Sequence, residues 1–138
     1  MAMATSFEFD EKLPTELKEV NSFIDRVFPK ILEVTGAFEE NFKVKLALEE
    51  ALTNAIRHGN ALVPGCYVRV QIKADRKQIM LDVHDEGKGF DFHNLPDPTQ
   101  ADNAVRPSGR GVFLMRKIMD KVEFYDNGSG VKMIKQVP

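Results

Sequence analysis

A carboxylate and an amide one helical turn apart, Glu50 and Asn54, lie in the run Glu50-Ala51-Leu52-Thr53-Asn54 that continues to His58-Gly59. Residues four apart share a helix face, and at about 100° per residue this pair falls nearly opposite Leu48 and Leu52. A solvated outer face is the plain reading of such a pair. The chemical one is a hard cation, since magnesium takes oxygen ligands and keeps several waters, or a general base. Ala47, Ala51 and Ala55 keep the surroundings free of bulk, which favours a site. His58 suits capping or packing at the helix end better than ligand contact.

A second cluster is Asp85-Glu86-Gly87-Lys88-Gly89-Phe90. Asp85 keeps the alternation of Ile79, Leu81 and Val83, so its carboxylate is expected on the buried side of a strand. Burying a carboxylate is costly unless a donor meets it. The amino group of a purine is one such donor; an internal backbone or side-chain group is the other. Gly87 and Gly89 allow positive φ and close backbone approach. Asp82 and His84 have the opposite parity and are expected to be exposed.

The third cluster, Ser108-Gly109-Arg110-Gly111, leads straight into an apolar helical run. Free amides at a helix start, flanked by glycines, form a ready anion site, and Arg110 can add a charge-assisted contact. The common phosphate motifs are absent: there is no Gly-x-x-x-x-Gly-Lys-Ser/Thr loop and no Gly-x-Gly-x-x-Gly directly after a first strand. Any one of the three clusters has a mundane explanation. Their co-occurrence in this order, with a long loop between the second and third, points to a nucleotide.

The elements that must position these clusters follow from hydrophobic period. Ser6 to Asp10 alternates and reads as a first strand. A helix is expected to open at Pro14, carrying Leu17, Val20, Ile24, Val27 and Ile31 in a stripe, kinked or split at Pro29 and stopped at Gly36. A second helix is expected over 38–58, with Val44, Leu48, Ala51, Leu52 and Ala55 inward, ended by Gly59-Asn60 and Pro64-Gly65. Strands are expected over 67–72 and 78–85. Residues 92–107 lack a period and contain Pro96, Pro98 and Pro107, a loop long enough to be functional or mobile. A third helix is expected over 111–121, then strands over 122–125 and 131–136 joined by Asp126-Asn127-Gly128-Ser129-Gly130, a strong hairpin signal. This order is α+β, with three helices covering one face of a mixed, mainly antiparallel sheet.

Bulk properties set the frame. At 138 residues the chain fits one domain. Its 19 basic and 21 acidic residues give a net charge of −2, which argues against a general nucleic-acid binder. Cys66 is the single cysteine, so no internal disulfide is available and a reducing compartment is expected. No apolar run approaches the ~20 residues that cross a bilayer, and the first ten residues lack the pattern of a secretion signal. A cytoplasmic location without membrane attachment is the expectation.

With these motifs in place the chain resembles the Bergerat-fold (GHKL) ATPases, which include histidine kinases, gyrase, Hsp90 and MutL. Residues 50–59 resemble their N box, 85–90 the first glycine box, 91–107 the lid and 108–114 the second glycine box, so the likeness spans the chain from about Phe7 to Gln136 as one domain, 1–138. Within that group it looks most like the anti-sigma-factor serine/threonine kinases of the RsbW type, through the Glu-x-x-x-Asn-Ala-x-x-His-Gly helix and Gly-Arg-Gly-Val-Phe-Leu-Met-Arg after the lid. The resemblance implies a two-layer Bergerat sandwich that binds ATP or ADP with magnesium. It implies Glu50 as catalytic base, Asn54 as the magnesium ligand and Asp85 as acceptor of the adenine amino group. Gly87 and Gly89 would line the base pocket, and Ser108, Gly109, Arg110, Gly111 and Val112 would complete the cofactor-binding set at the phosphates. The implied reaction transfers the γ-phosphate to a serine or threonine of a STAS-domain anti-anti-sigma protein. Implied partners are that antagonist, a sigma factor and a second copy in a homodimer. Two other readings fit the same pocket: a nucleotide-gated partner-binding module with little or no kinase activity, and a detached histidine-kinase catalytic domain. The latter ranks last, because no phospho-accepting histidine helix is evident.

Overall fold

The computed structural model describes residues 5–87 and 107–138. The chain opens with edge strand β1 (Ser6–Pro14), paired antiparallel with β2 (Tyr67–Asp75) along its whole length, up to Pro14 opposite Tyr67. The strand therefore runs past Asp10 and absorbs Pro14, which was expected to open a helix. A proline is tolerated there because an edge strand has no second neighbour to receive its missing N–H.

Helix α1 (Lys18–Thr35) passes through Pro29 as one element. Of the two outcomes expected at Pro29, a kink or a split, the split does not occur, for an energetic reason. A proline inside a helix costs ~3 kcal/mol or more. Against this, Phe23, Ile24 and Val27 before it and Ile31 and Val34 after it are all buried, at ~1.5–3 kcal/mol for each such side chain. Burial wins and holds both halves on one core. Gly36 ends the helix in the left-handed conformation, φ 64°, its N–H donating to the Leu32 carbonyl at 2.8 Å, as expected of a glycine stop.

Helix α2 (Phe38–Asn54) continues into one π-helical turn, Ala55–Gly59, closed by the Asn60 N–H donating to the Ala55 carbonyl at 2.7 Å. After β2 and β3 (Gln78–His84) comes α3 (Pro107–Ile118), then β4 (Lys121–Tyr125), a short 3₁₀ turn (Asp126–Gly128) and β5 (Gly130–Gln136). The turn is left-handed at Asp126, Asn127 and Gly128, which suits the residue types there. Helix α3 begins four residues earlier than its apolar period indicates. Pro107 suits a first helical position, and the weak helix formers Ser108, Gly109 and Gly111 conceal the first turn.

The five strands form one sheet in the order β1-β2-β3-β5-β4, and every pairing is antiparallel. The α+β, two-layer arrangement is the expected one, although no parallel pair of the kind a mixed sheet requires occurs among the described residues. Register aligns Phe9, Ile72, Leu81, Met133 and Val122 in one row across all five strands. That row joins Val68, Val70, Ile79 and Val83 beneath the helices, all within one hydrophobic core with Leu48, Leu52 and Ile56 of the second helical segment. The opposite face is polar: Arg69 and Lys73 are exposed, and Arg69 donates to both carboxylate oxygens of Asp10 at 3.1 and 2.9 Å. Among the described residues no helix is long and apolar enough to cross a membrane.

Candidate functional site

The site lies where the end of α2, the end of β3, the β4–β5 hairpin and α3 meet. A cavity of about 260 Å³ there is walled by Ala51, Ala55, Val83, Met115, Phe124 and Val131, with Asn54, His58, Asp85 and Ser129 among its polar lining residues. Mostly apolar walls with a few convergent polar groups describe a small-molecule site.

Asp85 anchors one end. It follows the last residue of β3 and is 5% exposed, as its alternation with Ile79, Leu81 and Val83 requires. Its N–H donates to the Ser129 carbonyl at 2.9 Å, which ties the strand end to the hairpin. Its Oδ1 accepts the Gly87 N–H at 2.8 Å. Burial pushes the Asp85 carboxyl above the usual aspartate range, and the Gly87 hydrogen bond offsets part of that shift. The other oxygen, Oδ2, lies against Gly59: a Cβ on Gly59 would sit 2.1 Å from it. A Cβ on Gly87 would sit 2.0 Å from the Gly59 carbonyl oxygen. The π turn and the Asp85 turn are thus in backbone contact, which only glycine at 59 and 87 permits.

Glu50 and Asn54 mark the other end. Ala47 and Ala51 are buried on α2, and α3 packs against that helix. The crossing falls on Gly111, where a Cβ would stand 2.7 Å from Asn54 Nδ2 and 2.9 Å from Glu50 Oε2. Gly111, just past the first turn of α3, therefore sits directly against the acid–amide pair. With the helix starting at Pro107, the backbone of Ser108, Gly109 and Arg110 forms that first turn, the part of a helix whose N–H groups lack internal partners. The helix start expected at this cluster is present, and it lies at Pro107, ahead of Ser108, instead of at Gly111.

The remaining expected residues divide in two. Val112 is 1% exposed and belongs to the hydrophobic core, so its side chain is structural. Lys88, Gly89 and the lid residues 91–106 lie outside the described residues, as do the side chains of Ser108 and Arg110. Among the described residues no group of three or more His, Cys, Asp or Glu could hold a metal. Magnesium with one or two protein ligands, the rest being water and phosphate, needs no such group, and the Glu50–Asn54 pair matches that smaller demand.

Sequence reasoning did not find the far wall. Phe124, Gly128, Ser129 and Val131 come from a hairpin that looks merely structural, and Met115 looks like ordinary core. His58, which the sequence assigns to packing, does line the cavity. No local pattern marks these residues; only the pairing of β3 with β5 and the seating of α3 bring them in.

Residues 12–135 match the histidine kinase-like ATPase domain family. Curated relatives carry two names. An "Anti-sigma F factor" of Bacillus cytotoxicus is 32% identical over 72% of this chain and 69% of its own length. The protein of the same name from Anoxybacillus flavithermus is 29% identical over 86% of this chain and 80% of its own. A "Serine-protein kinase RsbW" of Bacillus cereus is 29% identical over 98% of this chain and 89% of its own.

Proposed function

Because the chain belongs to the histidine kinase-like ATPase domain family, we propose that it is an ATP-dependent protein serine/threonine kinase acting as an anti-sigma-type switch. Its substrate is a serine or threonine of a STAS-domain antagonist. The names of relatives similar over most of the chain, an anti-sigma factor and a serine-protein kinase, support the role. The observation that carries the reading is convergence. Three clusters far apart in sequence, around Glu50–Asn54, Asp85 and Gly111, meet about one cavity with the buried acid at one end and Gly111 of α3 against the acid–amide pair at the other.

The roles follow from position. Asp85 accepts the amino group of the adenine, a donor that offsets the cost of its burial. The opening turn of α3 faces its free amides and dipole toward the phosphates. Asn54 would hold magnesium, whose chemistry when bound is to neutralise phosphate charge. Glu50 takes the proton of the attacking hydroxyl as the new O–P bond forms and the bond from the γ-phosphorus to the bridging oxygen breaks, leaving ADP. Positioning and charge neutralisation are most of what phosphoryl transfer requires. On this reading the protein works as a cytoplasmic homodimer and releases a sigma factor when it meets unphosphorylated antagonist.

Incubation with γ-labelled ATP, magnesium and a co-encoded STAS protein tests the proposal. Label on a serine or threonine of the antagonist is expected, and Glu50→Ala should lower the rate by ~100-fold or more, the scale of a general base, with ADP affinity little changed. ATP-dependent partner binding without any phosphorylated product would replace the kinase with a nucleotide-gated module.

A further inference from the structure

Directly after the π turn stands Asn60, 4% exposed, whose side-chain amide makes three hydrogen bonds. Its Oδ1 accepts the Glu86 N–H at 2.7 Å. Its Nδ2 donates to the Tyr67 carbonyl at 3.0 Å and to Thr15 Oγ1 at 3.0 Å. Thr15 Oγ1 in turn donates to the Cys66 carbonyl at 2.7 Å, and the Glu86 carboxylate accepts the Tyr67 N–H. One buried side chain therefore joins the end of the π turn, the turn after Asp85, the start of β2 and the segment after β1. Asn60 is next to Gly59, and Glu86 lies between Asp85 and Gly87. The bond from Asn60 to Glu86 thus spans the same gap that the Gly59 and Gly87 contacts close.

We propose that Asn60 is a positioning residue that fixes the Asp85 carboxylate against the π turn and so sets the selectivity of the site for the nucleotide base. The inference rests on the nucleotide-site reading above. Its logic is geometric. The Asp85 carboxylate must stop at contact with Gly59, and without Asn60 no backbone group of Glu86 is tied to the π-turn side, which leaves the turn freedom to tilt. Asn60 removes that freedom by clamping the next amide along. Buried polar networks of this kind rigidify a single arrangement when every member is satisfied, and each of the three hydrogen-bonding capacities of Asn60 used here has a partner. A π-helical turn ending at the clamp is consistent with a functional position. The members of this network, Thr15, Asn60, Tyr67 and Glu86, are other residues than Glu50, Asn54 and Gly111 at the phosphate end, so the clamp should govern the base and leave phosphate binding intact.

The test measures ADP and GDP affinities of the full chain with magnesium, by calorimetry, for wild type, Asn60→Ala, Asn60→Ser and Thr15→Val. Asn60→Ser is the milder substitution, too short to reach the Glu86 amide, should Asn60→Ala not fold. Wild type should prefer ADP, and loss of Asn60 should lower the ADP-to-GDP affinity ratio by about tenfold, the effect of one hydrogen bond to a charged group. Thr15→Val removes one partner of the Asn60 Nδ2 group but leaves its bonds to Tyr67 and Glu86, and should lower the melting temperature while keeping the ratio. A lowered melting temperature with an unchanged ratio in the Asn60 variants would make Asn60 a purely structural residue and overturn the inference. Wild type that binds neither nucleotide would overturn the nucleotide-site reading itself, and the inference with it.

Discussion

Two depressions border different ends of α2, one near Asn54 and one near Phe38, and they differ in what a ligand would meet. The first, of about 260 Å³, is the cavity that contains Asp85 and Asn54. The second, of about 370 Å³, is a groove between α1 and α2 lined chiefly by Phe28, Pro29, Leu32, Phe38 and Phe42. Phe38 is 72% and Phe42 55% exposed, so the groove offers more apolar surface than the cavity does. Its buried polar group, Asn41, spends its amide hydrogens within the fold, on Thr35 Oγ1 at 2.6 Å and the Ala37 carbonyl at 2.8 Å, and only its Oδ1 is without a partner among the described residues. In the cavity, by contrast, glycines bring backbone against a buried acid, and α3 meets an acid–amide pair at Gly111. Volume and apolar lining do not separate the two; converging polar groups and close backbone approach do.

That contrast breaks if Asp85 is dispensable. Asp85→Asn presents an amide hydrogen to the adenine amino group where an acceptor stood, and should weaken ADP binding by about 100-fold, on the scale of losing a hydrogen bond to a charged group and leaving a buried donor unpaired. The same variant should make the nucleotide-free protein more stable at neutral pH. Because the folded-state value of Asp85 is raised from 3.8, the native state binds more protons than the unfolded one just above that pH. The component of stability from this group therefore falls as pH rises from the ordinary aspartate range through the raised value. Thermal melts of wild type and Asp85→Asn from pH 4 to 8 isolate it: the difference in favour of the variant should grow as pH rises. Equal pH dependence in the two proteins contradicts a desolvated carboxylate.

A smaller effect is expected at Gly111→Ala. The new methyl meets the ends of the Asn54 and Glu50 side chains, which can move aside, so the fold should survive while the pair shifts from its position under α3. A loss of about tenfold in magnesium–ATP affinity is expected, equal to ~1.4 kcal/mol, with the melting temperature of the nucleotide-free protein changing by only a few degrees. Unchanged affinity would mean that the contact of α3 with the acid–amide pair has no part in binding.

The least effect belongs to the groove. Phe38→Ser and Phe42→Ser should leave ADP affinity within about twofold and stability within about 0.5 kcal/mol, as for exposed positions generally. A marked loss of nucleotide binding in either would join the two depressions and end the distinction drawn between them.

Much of this arrangement was legible in the chain. Alternation through Ile79, Leu81 and Val83 put Asp85 inside before any fold was known, and four-residue spacing put Glu50 and Asn54 on one helix face. Gly36 as a helix stop and the hairpin turn over Asp126 to Gly130 followed from residue type alone. These are local properties: the side a residue faces depends only on the period of its own element, and a positive φ only on its own Cβ. Tertiary structure decided what each inward or glycine position faces. Pro29 stayed within one helix because burial on both sides outweighs a missing hydrogen bond, a balance set by the core and not by the proline. Phe124, Ser129 and Met115 became the far wall because β5 pairs with β3 and α3 crosses α2 at Gly111. Asn60, a plain turn residue in sequence, acquired its partners at Thr15, Tyr67 and Glu86 only when three separate segments closed around it. Periodicity records direction, and direction carries no information about the partner that long-range packing brings to the other side.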